Sequence, residues 1–138
     1  MIESKQTNQY EWVLPLLTTP YRFIGKKPTA VLFGEERVVV KSWREVYTVI
    51  LKRCNSDPKH HETLMWLRGK VAGKERIFLA DSPDRMTRPT QIDDAMFAES
   101  HYGAATLIHI LTVRLLAPVG FDCSKVNIVL KVENCQIS

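Results

Sequence analysis

The sequence predicts an α+β domain: a small antiparallel or mixed sheet carrying three helices, the last of them central. Three observations carry that expectation. Short β-rich runs occur near both ends, at 29–33, 37–41 and 125–132. Two stretches with apolar residues at helical spacing follow capping residues, at Ser42 and Asp57. A third such stretch, after Ser100, is apolar over most of its circumference, the mark of a helix buried on more than one side.

Residues 1–20 are expected to form an N-terminal arm packing on a single domain at 21–138. Within it Trp12, Leu14, Leu16 and Leu17 supply the apolar contacts, and Pro15 rules out a long helix. Thr29 to Phe33 and Arg37 to Lys41 are β-branched runs separated by a short turn with Gly34, a hairpin signal. Ser42-Trp43-Arg44-Glu45 is a capping box. Trp43, Val46, Tyr47, Ile50 and Cys54 then share one helical face, with Asn55 in place as a left-handed stop. Asp57-Pro58 starts a second helix, with aspartate as N-cap and proline at the first helical position, and Gly69 ends it.

Arg76 to Ala80 reads as a short strand, Asp81 to Thr90 as a loop with two prolines, and Met96 to Glu99 as a further short strand. Ser100 is read as the N-cap of the longest helix, which Pro118 and Gly120 terminate. Lys125 to Val132 alternates as a half-buried strand. The predicted order is β-β-α-α-β-(β)-α-β, and hairpins mixed with helices in this way point to a sheet with helices on one face.

A chain of 138 residues with 45% apolar and 25% charged side chains has the composition of one globular domain. No apolar run reaches the roughly 18 residues of a membrane span, and the polar start lacks a signal-peptide core. The expectation is a soluble, cytoplasmic protein. Three scattered cysteines, Cys54, Cys123 and Cys135, fit neither a disulfide framework nor a zinc site and read as buried free thiols. The net charge is +4, with the surplus in the first two thirds of the chain. Such a surplus could favour an anionic partner, but an ordinary soluble surface is the first reading, because nucleic-acid binders usually carry a stronger basic cluster.

No residue pattern specifies a reaction. Gly25-Lys26-Lys27-Pro28 lacks the strand-to-helix setting of a phosphate loop, because a strand follows the proline; the two lysines are expected as point charges toward an anion. His60 and His61 are adjacent on a helix, point apart, and do not chelate together. His109 falls within the central helix and is read as a core or boundary histidine. No catalytic residue, metal ligand or cofactor is assigned. The best candidate site is the turn at Ser100, His101, Tyr102 and Gly103, where glycine lets a ligand or backbone come close. Arg76, Arg85 and Arg88 lie just upstream and would complete an anion pocket if the loop folds back over the helix end.

Two stretches, KKPTAVLFGEERVVVKSWREV and ESHYGAATLIHILTVRLLAPVGFDCSKVNIVL, resemble the opening and closing segments of a small uncharacterised α+β module of bacterial proteins. That module is similar to ones accompanying restriction, DNA-modification and phage-defence proteins. The resemblance implies the fold and brings no catalytic residue with it.

The expected role is therefore a non-enzymatic binding or accessory module. It would act on nucleic acid or within a bacterial or phage defence-related complex, with Lys26, Lys27, Arg76, Arg85 and Arg88 as anion contacts. Two alternatives stand beside it: a protein-interaction module, including a homo-oligomer formed through the final strand and the Tyr10 to Leu17 segment, and a small-nucleotide binder at the Ser100 turn. No membrane partner is expected.

Overall fold

The computed structural model describes residues 11–71 and 77–131. Its elements are β1 (Glu11–Pro15), a 3-10 turn (Pro20–Phe23), β2 (Lys27–Phe33), β3 (Glu36–Val39), α1 (Trp43–Asn55), α2 (Pro58–Leu67), β4 (Leu79–Ala80), β5 (Pro89–Asp93), β6 (Met96–Glu99), α3 and β7 (Val126–Lys131). Helix α3 runs over 104–119 as α-helix at Ala104–His109, a π-helical stretch at Ile110–Leu116 and a last turn at Ala117–Val119. The strands form two antiparallel sheets, one ordered β1-β7-β2-β3 and the other β4-β6-β5. The α+β class and the three helices are as the sequence predicts.

The hairpin between β2 and β3 closes tightly: Phe33 faces Glu36, so Gly34 and Glu35 alone make the turn. Gly34 has φ 64°, the conformation that a two-residue hairpin requires of its first loop residue when its second has negative φ. Helix α1 begins as its capping box dictates. Ser42 Oγ accepts from the Glu45 N–H at 3.1 Å, and Glu45 Oε1 accepts from the Lys41 N–H at 2.8 Å. Asp57 caps α2 by accepting from the Lys59 and His60 N–H groups, which holds its carboxyl below the usual aspartate range.

Several expectations change. Part of the segment assigned as an arm is a true strand: β1 pairs with β7 from Glu11↔Lys131 to Pro15↔Asn127, burying Leu14. The final strand is interior, with β1 on one side and β2 on the other, so it offers no edge to a second copy; β1 and β3 are the edges of that sheet. Ile128, Val129 and Leu130 are all buried, an unbroken run that fits a strand covered on both faces. Thr90, expected in a loop, belongs to β5, because Pro89 sits at the first residue of an edge strand where its missing N–H costs no ladder bond.

The third helix begins at Ala104 rather than after Ser100, with Gly103 as its N-cap and no side-chain cap. Asn55 does not adopt the left-handed conformation; no described non-glycine residue has positive φ. Its side chain instead joins α1 to its surroundings, donating to Asp93 Oδ2 and lying 2.8 Å from His61 Nδ1. Burial pulls the Asp93 carboxyl upward. The Ala95 N–H, the Asn55 amide and the charges of His61 and Arg68 outweigh it and hold the group below its ordinary value.

The core lies between the helices and the four-stranded sheet. Leu107, Ile108, Leu111 and Leu115 of α3, Val46, Ile50 and Leu51 of α1, and Val31 and Ile128 of the sheet are buried together. Each such side chain contributes roughly 1.5–3 kcal/mol relative to exposure. Within the π-helical stretch, the Thr112 hydroxyl donates to the Ile108 carbonyl at 2.8 Å. Such back-bonding draws a carbonyl out of the helix ladder and suits the widened turn. His109 is exposed on this helix, not packed in the core. Cys54 is a buried free thiol, which burial and the neighbouring Cys123 and Asp57 push up to about 12; Cys123 is half-buried, and Cys135 lies outside the described residues.

Tyr47 is fully buried, and its hydroxyl has no hydrogen-bond partner among the described residues. Burial, then Tyr102 and the nearby Glu99 charge, push its ionisation far above the usual range. A buried hydroxyl without a partner costs about 1–3 kcal/mol of desolvation. Tyr47→Phe keeps the ring and removes that cost. Chemical denaturation is expected to show the variant more stable by about 1 kcal/mol. A loss of 1 kcal/mol would show that the hydroxyl is satisfied.

Candidate functional site

The three-stranded sheet and the start of α1 meet at a buried polar cluster. Its anchor is Glu99, the last residue of β6, whose side chain is fully buried. Its carboxylate accepts from four backbone N–H groups: Thr87 at 2.7 Å, Arg88 at 2.8 Å, and Ser100 and His101 at 3.1 Å each. A carboxylate accepts only, and four donors on two oxygens suit its charged form. The contacts fasten the loop before β5 to the turn after β6, and so fix where Arg88 stands.

Ser100 is buried beside it, 4% exposed. Its N–H and its hydroxyl both donate to the Arg88 carbonyl, at 3.0 and 2.8 Å. The Ser100 Oγ accepts from the Thr90 hydroxyl at 3.0 Å and from Arg44 Nε at 3.0 Å. The same Nε reaches Thr90 Oγ1 at 2.9 Å, and Arg44 Nη2 donates to the Pro89 carbonyl at 2.8 Å. Thus Ser100 does not cap α3. Its hydroxyl is used in a tertiary network whose purpose, structurally, is to hold the Arg44 guanidinium in one orientation. Arg44 Nη1 makes no hydrogen bond among the described residues.

Arg44 lines a cleft of about 670 Å³ between the first turn of α1 and the Ser100–Ala104 turn. Arg88, Thr90, Tyr102 and Gly103 line it as well, with Trp43, Val49 and Leu107 as apolar walls. The lining includes no histidine and no cysteine, and the Ser100 proton is committed to a carbonyl, so the cleft shows no nucleophile paired with a base. Among the described residues no group of three His, Cys, Asp or Glu side chains could hold a metal ion. No described helix is long and apolar enough to cross a membrane.

The predicted site residues divide. Arg88, Ser100, Tyr102 and Gly103 are brought together at this cleft. His101 is exposed beside it and does not line it. Lys26 stacks over Trp12, 5.3 Å from the ring centre, and borders an adjoining hollow. Lys27 is exposed on β2, and Arg85 lines a separate cleft of about 620 Å³ with Asp81, Asp84 and Arg68. Arg76 lies outside the described residues. The anion pocket expected from the loop arginines is therefore narrower than its sequence outline: one of them, Arg88, joins the Ser100 turn. The dominant group, Arg44, comes from α1 and was not foreseen, nor were Thr90 and Glu99. The bonds from Thr90 and Arg44 to Ser100 span 10 and 56 residues of chain, and those from the loop N–H groups to Glu99 span 11 and 12, beyond any local motif.

Comparison with known proteins finds no matching family model, no matching curated sequence and no matching solved structure.

Proposed function

We propose that this protein is a non-enzymatic binding module that recognises an anionic group of a small ligand in the Arg44–Arg88 cleft. One observation carries the reading. Arg44 is locked by Thr90, Ser100 and Pro89 while its Nη1 is left without a partner among the described residues, in a cleft with a second arginine. A guanidinium fixed before binding loses little entropy on binding, and its planar fork matches a carboxylate or phosphate. A nucleic-acid partner is less well supported, since Lys26–Lys27, Arg85 and Arg88 lie at separate places rather than in one basic stripe. Placement in a bacterial or phage defence-related complex is proposed on the resemblance alone.

Calorimetric titration and thermal melting with acetate, inorganic phosphate and mononucleotides test the reading. At least one anion should bind saturably and raise the melting temperature, because a ligand at 100 times its Kd stabilises by about 2.7 kcal/mol. Arg88→Ala should weaken that binding roughly tenfold, equivalent to about 1.4 kcal/mol. No binding by any anion overturns the proposal. Binding only to an oligonucleotide, with steep salt dependence, would replace it with the nucleic-acid reading.

A further inference from the structure

The cleft continues past its anion end. A second hollow of about 420 Å³ shares Trp43, Gly103 and Ala104 with it as walls and extends along Ile24 and Ala105. Trp43 Nε1 already donates to the Lys26 carbonyl at 3.0 Å, so the ring has no polar demand left to meet. Ile24 stands 60% exposed at the far wall.

Gly103 sits at the junction, and the fold gives no reason for glycine there. Its φ of −74° is open to any residue, and a Cβ built on it meets no atom within 4 Å. As the N-cap of α3, serine or asparagine would satisfy an orphan N–H that glycine leaves without a side-chain partner. What glycine does provide is open space: it lines both hollows, and a side chain at 103 would take up room where they adjoin. A position where the fold would accept a better-capping residue, and where that residue would fill the space joining two hollows, is compatible with a ligand that extends from one into the other.

The charges select the head group. Arg44 and Arg88 are opposed by Glu45, which also lines the cleft. One Glu45 oxygen is held by the Lys41 N–H, and the other makes no hydrogen bond among the described residues. The lining of this hollow thus carries one formal positive charge in excess, which matches a single negative charge and leaves the further charges of a polyphosphate without partners there, while Lys26 at the adjoining hollow already faces the Trp12 ring.

Resting on the anion-binding reading, we infer that the ligand is a small monocarboxylate with an apolar body. Its carboxylate meets the Arg44 fork and Arg88. Its body passes Gly103 and lies over Trp43, Ala104 and Ile24.

The test is a titration series on the full chain with acetate, octanoate, octan-1-ol, phosphate, pyrophosphate and a single-stranded oligonucleotide. Octanoate is expected to bind at least tenfold tighter than acetate and at least fivefold tighter than octan-1-ol. Pyrophosphate should bind no tighter than phosphate. In Gly103→Asn, whose asparagine can cap α3, the octanoate-to-acetate ratio should fall at least fivefold. Equal binding of acetate and octanoate, or an unchanged ratio in Gly103→Asn, overturns the apolar-body inference. Should Gly103→Asn fail to fold, the ratio in the unaltered protein decides. Tightest binding by pyrophosphate or the oligonucleotide overturns the ligand class while leaving an anion site in place. Absence of binding by every anion overturns both readings.

Discussion

Glu99→Gln is expected to cost about 3 kcal/mol of folding stability, as much as breaking a buried ion pair. The side chain is fully buried and receives four backbone N–H groups. Glutamine offers one acceptor oxygen and an NH2 group. Seated with the oxygen toward the Arg88, Ser100 and His101 N–H groups, it turns the NH2 group toward the Thr87 N–H, which loses its partner in a buried place, and the other three bonds lose their charged acceptor. The lost partner alone costs about 1–3 kcal/mol. The effect should also be local. The amides of Thr87 and Arg88 should exchange faster with solvent, because the loop before β5 is fastened through them, whereas exchange at the core amides of Ile50 and Ile128 should speed up only as far as the overall loss of stability requires. Urea denaturation with hydrogen exchange checks both parts. As a control, Glu62→Gln on the exposed side of α2 should change stability by less than about 0.5 kcal/mol. A Glu99→Gln variant within 1 kcal/mol of the original protein would mean that the loop is held by other contacts.

Arg44→Met is expected to destabilise by about 2 kcal/mol and to abolish anion binding. The apolar stem is conserved, so little packing is lost. What disappears is one charged donor group serving Thr90, Ser100 and the Pro89 carbonyl. Hydrogen bonds from charged groups contribute about 1.5–3 kcal/mol, and the partial exposure of Arg44 keeps the total near the lower end. The Thr90–Ser100–Arg88 chain of hydroxyl and carbonyl contacts can persist without it. Arg44→Lys should recover less than half of the lost stability, since a point charge cannot reach three acceptors in a fork. Denaturation of the three proteins, followed by calorimetry with the best-bound anion, separates the two effects. Full stability in Arg44→Met would show that the network does not depend on the guanidinium.

The fold was legible wherever a local rule decides the matter. Ser42 and Asp57 cap helices because their oxygens meet N–H groups two or three residues away. Gly34 turns the hairpin because only glycine enters its conformation readily. Legibility ended where the same residue type serves two purposes. Serine after a strand reads as a helix cap, but Ser100 bonds to Thr90, Arg44 and Arg88. Alternation at 125–132 reads as half-buried, and the decisive residue was Val129, apolar on the face expected to be polar and buried there. Pro89 and Pro83 masked β5 as loop, since proline weakens a strand reading without excluding an edge strand. The site was legible in its turn, 100–103, and not in its charge. Arg44 lies on the first turn of an ordinary amphipathic helix, and only the folded chain brings it against Thr90 and Ser100.

The central claim is that one guanidinium has been fixed in place and kept available for an anion. The most direct measurement follows the arginine side-chain Nε–Hε resonances during a titration with acetate and phosphate at constant ionic strength. The account predicts saturable shifts confined to Arg44 and Arg88, with Arg53, already paired with Glu36 at 2.7 Å, serving as the unaffected reference. Shifts of equal size at all arginines, growing without saturation, would contradict it.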